Sequence, residues 1–408
     1  MIIILLSGGS GKRLWPLSNS TMSKQFLKIL PNKESMIQRV YRQITQRDYR
    51  VLITAPKEQH ELIKLQIGDK AEIVEEPCRS GSYNAIKLAC EYLDKNLLGN
   101  EDVCVVPVDI FVDDDFFNIL EDINDSIIGS GKAITLVGTK PSYPSTEYGY
   151  IVPKENGYRF FEKPAENDAQ KYIEQGALWN AGIFGFKLSL FDVLDDGTEQ
   201  ENVSFDCKVC ENTESISVVS YGGKWKDIGT WDTLSEEIEP SYGSAVQAEC
   251  VNSTVINTLD RPLVALGLED IVVAATHDGI LVSKKSDSHK VKEYIKDSRP
   301  FFEEKRWGEY RVIDCGDGFL TKRLCINKGK SISYQTHKHR KEIWTIVKGQ
   351  GIVTINDSDM LVQTGDTVTI EVGDKHRVYA NEDLIVIEIQ IGRVLEESDK
   401  EETIWLTK

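Results

Sequence analysis

The chain has 408 residues, with 48 Lys and Arg against 65 Asp and Glu and a formal net charge of −17. At roughly 150 residues per domain this length points to two or three domains, and 40% hydrophobic with 28% charged residues is the composition of a folded protein rather than a disordered one. The acidic balance disfavours nucleic acid and anionic membranes as partners, and no run approaches the roughly 20 apolar residues that span a bilayer.

The opening Met1-Ile2-Ile3-Ile4-Leu5-Leu6 has no basic flank and runs into a Gly-rich turn, so it reads as a buried first strand rather than a signal peptide, and a cytoplasmic protein is expected. Over residues 1–240, short apolar runs at 2–6, 51–55, 73–75 and 102–107 alternate with helical patterns at 35–46, 59–65 and 85–93. Short continuous strands separated by amphipathic helices predict a Rossmann-like α/β domain with a mixed, mostly parallel sheet covered on both faces. Ligands of such sheets bind beyond the carboxyl ends of the strands, so motifs at strand ends matter most.

Residues 241–295 change to brief β-rich pieces such as Ser253-Thr254-Val255-Ile256-Asn257 and Asp270-Ile271-Val272-Val273-Ala274-Ala275, with no evident sequence repeat, and a polar connector with one short helix follows. Residues 296–408 read as close-spaced strands with turn signals at Gly316-Asp317-Gly318, Lys348-Gly349-Gln350-Gly351 and Gly373-Asp374, which predicts a small all-β barrel. Eight cysteines are scattered, and only Cys207 and Cys210 are close. Without a second pair or a nearby His they are expected to be mostly buried small side chains rather than a zinc site.

The first strand ends in Ser7-Gly8-Gly9-Ser10-Gly11-Lys12-Arg13-Leu14-Trp15-Pro16, with Lys24-Gln25-Phe26-Leu27 close behind. Glycines let backbone N–H groups approach a polyphosphate, and Lys12, Arg13 and Lys24 supply compensating charge, so the composition is that of a triphosphate cradle. It is neither a Walker A motif nor a GxGxxG fingerprint. A Gly-rich turn alone is usually just a turn, but three basic residues directly after a buried strand outweigh that reading.

These residues resemble the signature of sugar-nucleotide pyrophosphorylases, specifically the mannose-1-phosphate guanylyltransferase family that carries a fused phosphomannose isomerase-like cupin. The resemblance continues in the family's order through Pro107-Val108-Asp109, Glu147-Tyr148-Gly149-Tyr150-Ile151, Phe161-Glu162-Lys163-Pro164, Trp179-Asn180-Ala181-Gly182-Ile183-Phe184, Ser204-Phe205-Asp206 and Trp225-Lys226-Asp227-Ile228-Gly229-Thr230-Trp231. It implies a nucleotidyltransferase domain at 1–240, a β-helix-like linking segment at 241–295 through which a homodimer forms, and a cupin domain at 296–408. Nucleotide contacts are implied for Leu6, Gly8, Gly9, Ser10, Gly11, Lys12, Arg13, Lys24, Ser82 and Asp109, and sugar-phosphate contacts for Tyr148, Gly149, Glu162, Lys163, Asn180 and Asp227. Asp109 and Asp227 would hold Mg²⁺ against the α-phosphate and the attacking sugar phosphate. A lone strand-end Asp is more often a cap, so that role rests on the pair.

The catalytic set implied is Arg13, Lys24, Asp109, Lys163 and Asp227. The sugar phosphate would attack the nucleotide α-phosphorus in line and pyrophosphate would leave, with no protein nucleophile. One segment departs from the family. After Glu75-Glu76-Pro77 the family continues Arg-Asn-Thr-Ala-Pro, where this chain has Cys78-Arg79-Ser80-Gly81-Ser82-Tyr83-Asn84. That region lies near the nucleobase in the family. GTP and mannose 1-phosphate lead by resemblance, while CTP or another nucleotide with a different phosphorylated sugar or polyol stays open. A non-catalytic nucleotide-sugar sensor is the alternative of another class, and the retained glycines, cations and carboxylates argue against it.

In the C-terminal region, Gln335-Thr336-His337-Lys338-His339-Arg340-Lys341-Glu342 resembles the first cupin motif with Gln replacing its first His, and Gly365 to Gly373 with His376 and Asn381 resembles the second. On a strand, Gln335, His337 and His339 share a face, and the return brings in Glu342 and His376. Gln335, His337, Glu342 and His376 are expected to hold Zn²⁺ or another divalent ion. In a phosphomannose isomerase such an ion polarises the sugar during proton transfer. The Arg that the family places near its C-terminus is missing, because Glu397-Ser398-Asp399 is followed by Lys400-Glu401-Glu402. An isomerase and a vestigial, structural or differently specific cupin are therefore both open.

Overall fold

The computed structural model describes residues 1–9, 12–19, 21–96, 101–190, 202–295 and 299–402, apart from the side chains of Lys12, Pro31 and Glu397. They form two compact units, Met1–Leu14 with Ser23–Glu239, and Trp15–Met22 with Pro240–Lys408.

In the first unit, the uninterrupted apolar run Ile2 to Leu5 forms β1 (Ile2–Leu6), buried on both faces as a central strand requires. The further strands are β2 (Arg50–Pro56), β3 (Glu72–Glu76), β4 (Asp102–Pro107), β5 (Ile110–Val112), β6 (Ile134–Thr139), β7 (Tyr150–Lys154), β8 (Gly157–Phe161), β9 (Leu178–Lys187), β10 (Ile216–Tyr221) and β11 (Trp225–Asp227). The main sheet runs β10-β6-β9-β4-β1-β2-β3, with β7 and β8 extending from β9. β1 pairs parallel with β2 and β4, β2 with β3, and β6 with β10. β9 runs antiparallel between β4 and β6, which makes the sheet mixed. Helices Met36–Thr45, Lys57–Ile67, Ser82–Asn96 and Ile119–Gly129 cover the strands, the first opened by a Ser35/Gln38 capping box. Ile4, Leu52, Ile86, Leu93, Val105, Phe184, Phe186 and Phe205 form one continuous core.

The second unit begins with β12 (Ser241–Gly243), β13 (Ala245–Ala248), β14 (Thr254–Asn257), β15 (Leu263–Leu266), β16 (Ile271–Thr276) and β17 (Gly279–Lys284). β12, β14 and β16 stack in parallel, as do β13 and β15. Partners stand 18 residues apart: Ala245 with Leu263, Val251 with Glu269, Thr254 with Val272. This coil repeat is invisible in the sequence, because the inward positions accept dissimilar side chains such as Val255, Ala265 and Val273.

The barrel is built from β18 (Phe302–Lys305), β19 (Gly308–Gly316), β20 (Phe319–Ile326), β21 (Gln335–His337), β22 (Arg340–Lys348), β23 (Gln350–Ile355), β24 (Ser358–Gln363), β25 (Thr367–Ile370), β26 (His376–Ala380), β27 (Leu384–Gly392) and β28 (Lys400–Glu402). Its two sheets run β18-β19-β20-β27-β22-β25 and β24-β23-β26-β21-β28, packed over Leu324, Trp344, Val353, Val378 and Val386. All eight cysteines are free thiols, and no described helix is long and apolar enough to cross a membrane.

Candidate functional site

β1 and β4 lie side by side with Leu6 opposite Pro107, so the Gly-rich turn after β1 and Asp109 after β4 leave the same edge of the sheet. The antiparallel pair β5/β11 puts Asp227 opposite Ile110, and the Ile228 amide donates to the Asp109 carbonyl at 3.2 Å. Two carboxylates more than a hundred residues apart in sequence therefore face one space.

Lys24 fills it. Its side chain is buried, with Nζ 2.7 Å from Asp109 Oδ2 and 3.6 Å from Asp227 Oδ1, and it donates to the Ile228 carbonyl at 3.0 Å. Burial works against the ammonium, but the charges of Asp109 and Asp227 outweigh it and raise the Lys24 pKa. Burial likewise works to raise Asp109, yet the Lys24 charge and hydrogen bond hold it below its ordinary value. At Asp227 burial prevails over Lys24, with the like charge of Asp109 adding to it, and its pKa is raised. Arg13 and Asp227 meet around Gly229, where a Cβ would sit 3.5 Å from Arg13 Nη1 and 3.3 Å from Asp227 Oδ2.

Gly8 lies beside Glu76, both carboxylate oxygens of which would be 3.6 Å from a Cβ at that glycine. Glu76 is buried at the end of β3, its Oε1 has no hydrogen-bond partner among the described residues, and burial, only partly offset by Arg79, pushes its pKa up to about 7. Among the described residues, none comes within 4 Å of a Cβ at Gly9. The Leu6 carbonyl accepts from the Val108 amide, tying the ends of β1 and β4 together. Ser82 opens helix Ser82–Asn96, and its Oγ accepts from the Phe205 amide at 2.9 Å. Ser10, Gly11 and the Lys12 side chain lie outside the described residues.

A second cluster adjoins the carboxylates. The Tyr148 ring packs 4.9 Å from Trp179 and 5.5 Å from Trp225, and burial together with the Asp227 charge raises its phenol pKa. The Gly149 carbonyl accepts from the Asn180 amide at 2.8 Å, and a Cβ at Gly149 would lie 2.4 Å from the Phe160 ring and 2.8 Å from Glu162 Oε2. Only glycine fits there. Lys163 Nζ is 3.2 Å from Glu162 Oε1, and Lys163 holds a left-handed backbone with φ of 42°, a conformation that for a non-Gly residue marks stored strain.

Sequence reasoning passed over two residues here. Gln25 is buried and donates from Nε2 to the Ser7 carbonyl at 2.9 Å, anchoring the turn after β1 to the segment that carries Lys24. Its place beside Lys24 was the available signal. Gly229 belongs to the motif from Trp225 to Trp231, but its close approach to Arg13 and Asp227 depends on the fold.

In the barrel, His337, Glu342 and His376 are buried with one ligand atom from each within 4.8 Å of the others. His337 Nε2 is 3.1 Å from Glu342 Oε1, and His376 Nε2 is 3.4 Å from Glu342 Oε2. Donors around a tetrahedral ion with bonds of about 2.0 Å stand about 3.3 Å apart, so this set fits a divalent metal. Burial alone would raise the Glu342 pKa, but hydrogen bonds from both histidines hold it well below the carboxylate range. Gln335 stands beside the set, with Nε2 3.4 Å from His376 Nε2 and Oε1 accepting from Ser333.

His339 departs from the expected common face. β21 ends at His337, the chain turns, and the half-exposed His339 directs Nδ1 to Asp399 Oδ1 at 2.6 Å. Arg340, not foreseen, is buried with Nε 3.2 Å from Glu342 Oε1 and Nη2 3.3 Å from His337 Nε2. β28 pairs with β21 so that Lys400 is opposite His337 and Glu402 opposite Gln335.

Known proteins resemble this chain along most of its length. The nucleotidyl transferase family matches residues 2–241, a MannoseP isomerase/GMP-like beta-helix domain matches 243–297, and the mannose-6-phosphate isomerase C-terminal family matches 290–403. Mannose-1-phosphate guanylyltransferase of Salmonella montevideo is 30% identical over 97% of this chain and 97% of its own. The xanthan biosynthesis protein XanB of Xanthomonas campestris pv. campestris is 29% identical over 97% of this chain and 96% of its own. Among solved structures, a protein of Thermus thermophilus described as a mannose-1-phosphate geranyltransferase superposes with a TM-score of 0.61 at 25% identity, covering 72% of this chain and 97% of that one.

Proposed function

Because the chain belongs to the nucleotidyl transferase family, we propose that it joins mannose 1-phosphate to GTP, forming GDP-mannose and releasing pyrophosphate. The observation that carries the reading is the buried ammonium of Lys24 between the Asp109 and Asp227 carboxylates, directly beyond the turn after β1.

The two carboxylates fit a divalent cation. They converge on a space that already accommodates positive charge, and Asp227 remains above its ordinary pKa even with Lys24 beside it. Asp109 and Asp227 would hold Mg²⁺, which when bound supplies charge neutralisation between the two phosphates. Lys24 and Arg13 neutralise the triphosphate, and the turn containing Gly8 and Gly9 offers backbone N–H groups to it. Lys163 takes the sugar phosphate, while Glu162 and Asn180 receive sugar hydroxyls. With both substrates fixed, the sugar-phosphate oxygen attacks the α-phosphorus and no protein group needs to become covalently modified.

Guanine is the base by resemblance, and Cys78 to Asn84, where the chain departs from the family, is the segment that bears on it.

His337, Glu342 and His376 would hold Zn²⁺ or a similar ion, and the barrel is read as an isomerase-like domain that lacks the Arg the family places near its C-terminus. The outward side chains Val246, Val264 and Leu266 form an exposed apolar strip on the parallel coils, which supports a homodimer through that segment. A cytoplasmic location accords with nucleotide substrates.

The test is incubation with Mg²⁺, mannose 1-phosphate and each of GTP, CTP, UTP and ATP, measuring pyrophosphate and nucleotide sugar. GDP-mannose from GTP alone supports the reading. Turnover with another nucleotide reassigns the base, and silence with all four and a panel of sugar phosphates favours a sensor.

A further inference from the structure

Asn180 is held from both sides. Its Nδ2 donates to Asp206 Oδ1 at 2.8 Å and its Oδ1 accepts from the Gly182 amide at 3.1 Å, so an acceptor and a donor together fix which way the amide points. Its backbone amide is tied to the Gly149 carbonyl, and Gly149 in turn packs against Glu162. Asp206 reaches this place because Ser204 caps the short helix Phe205–Lys208 and Phe205 is locked against Phe184 and Phe186. Asp206 itself makes no ion pair among the described residues, and burial with the Glu162 charge raises its pKa to about 7.

We propose that Asp206 is a positioning residue for sugar recognition. Its carboxyl holds the Asn180 amide so that the second Nδ2 hydrogen and the second Oδ1 lone pair face the hydroxyls of a hexose 1-phosphate. This rests on the function proposed above, in which Asn180 and Glu162 receive the sugar. A carboxyl whose sole work was packing would be replaceable by any side chain of similar volume. One that orients an amide is replaceable only by another acceptor, because an unheld amide rotates and loses its fixed donor and acceptor directions.

The test is steady-state kinetics of the full chain with Mg²⁺ and GTP, using whichever hexose 1-phosphate the wild type turns over best from a panel of mannose, glucose and galactose 1-phosphates. For Asp206→Ala, the KM for the sugar phosphate should rise about tenfold while the KM for GTP and the kcat at saturation stay within about twofold. Asp206→Asn, which retains an acceptor oxygen, should recover to within about threefold of wild type, whereas Asp206→Leu, which fills the space without an acceptor, should stay as impaired as Asp206→Ala. Combined with Asn180→Ala, the loss of Asp206 should add little.

Equal effects on both KM values, an Asp206→Asn variant as impaired as Asp206→Ala, or full additivity with Asn180→Ala would overturn the proposal. A wild type that prefers another sugar phosphate corrects the mannose reading alone, since the KM split is then measured with that sugar.

Discussion

Lys24 Nζ lies 2.7 Å from Asp109 Oδ2, and this contact joins the segment after β1 to the end of β4 at the point where the Gly-rich turn leaves the sheet. A cation so placed serves two ends at once. It offsets two half-buried carboxylates in the free protein, and it remains as positive charge where a triphosphate is to be bound.

Replacing Lys24 with Met keeps its length and removes its charge. Turnover should fall by about 100-fold or more, as for loss of one preorganised charge from a transition state. Stability should also fall, by about 1 kcal/mol, because the half-buried Asp109 and Asp227 are left facing each other. Denaturant unfolding and initial-rate assays check the two effects separately. Asp109→Asn should abolish Mg²⁺-dependent turnover while relieving that repulsion. Unchanged activity would remove Asp109 from the mechanism.

Gly149→Ala introduces a methyl 2.4 Å from the Phe160 ring and 2.8 Å from Glu162 Oε2. Phe160 is buried in the core and cannot retreat freely, so Glu162 should be displaced. The KM for the sugar phosphate should rise about tenfold or more with little change for GTP. A variant with unaltered sugar kinetics would show that Glu162 does not meet the substrate.

Glu76 gives a pH signature. Its pKa is about 7 in the folded chain against 4.5 ordinarily. Between these values the folded protein keeps a proton that the unfolded chain has released, so stability due to this group is full below pH 4.5 and is lost as pH rises through 7. At about 1.4 kcal/mol per pH unit the loss is on the order of 3 kcal/mol. Glu76→Gln should flatten the unfolding free energy over that window and leave it higher than wild type at pH 8. A wild-type profile that rises from pH 5 to 7 and is unchanged by Glu76→Gln would contradict this assignment.

Glu342→Gln should lower divalent metal content of the purified protein by at least about tenfold, measured by elemental analysis, because the carboxylate bridges the two histidines. Nucleotidyl transfer should continue, since Lys24, Asp109 and Asp227 belong to the other compact unit. Equal metal content in the variant would mean that the ion binds elsewhere.

Read in order, the residues were enough to locate β1, β2, β3 and β4, because fully buried strands must be continuous apolar runs and their partners must be amphipathic helices. They also pointed to the Gly-rich turn and its cations, since chemistry of that kind is local in sequence. The set His337, Glu342 and His376 was legible for the same reason, two of its members sharing one short motif. His339 was misplaced on the shared face because alternation holds only while the strand lasts, and β21 ends two residues earlier.

What spans the chain was decided by tertiary structure alone. The approach of Asp227 to Asp109 comes from the pairing of β5 with β11, the hold of Gln25 on Ser7 from a turn folding back on β1, and the grip of Asp206 on Asn180 from a helix cap and a phenylalanine cluster. The 18-residue coils of β12 to β16 belong here too. Hydrophobic periodicity specifies which face of a segment is buried, but not which distant polar group it will meet. That is settled by strand order and register, where a single step would carry every side chain to the opposite face.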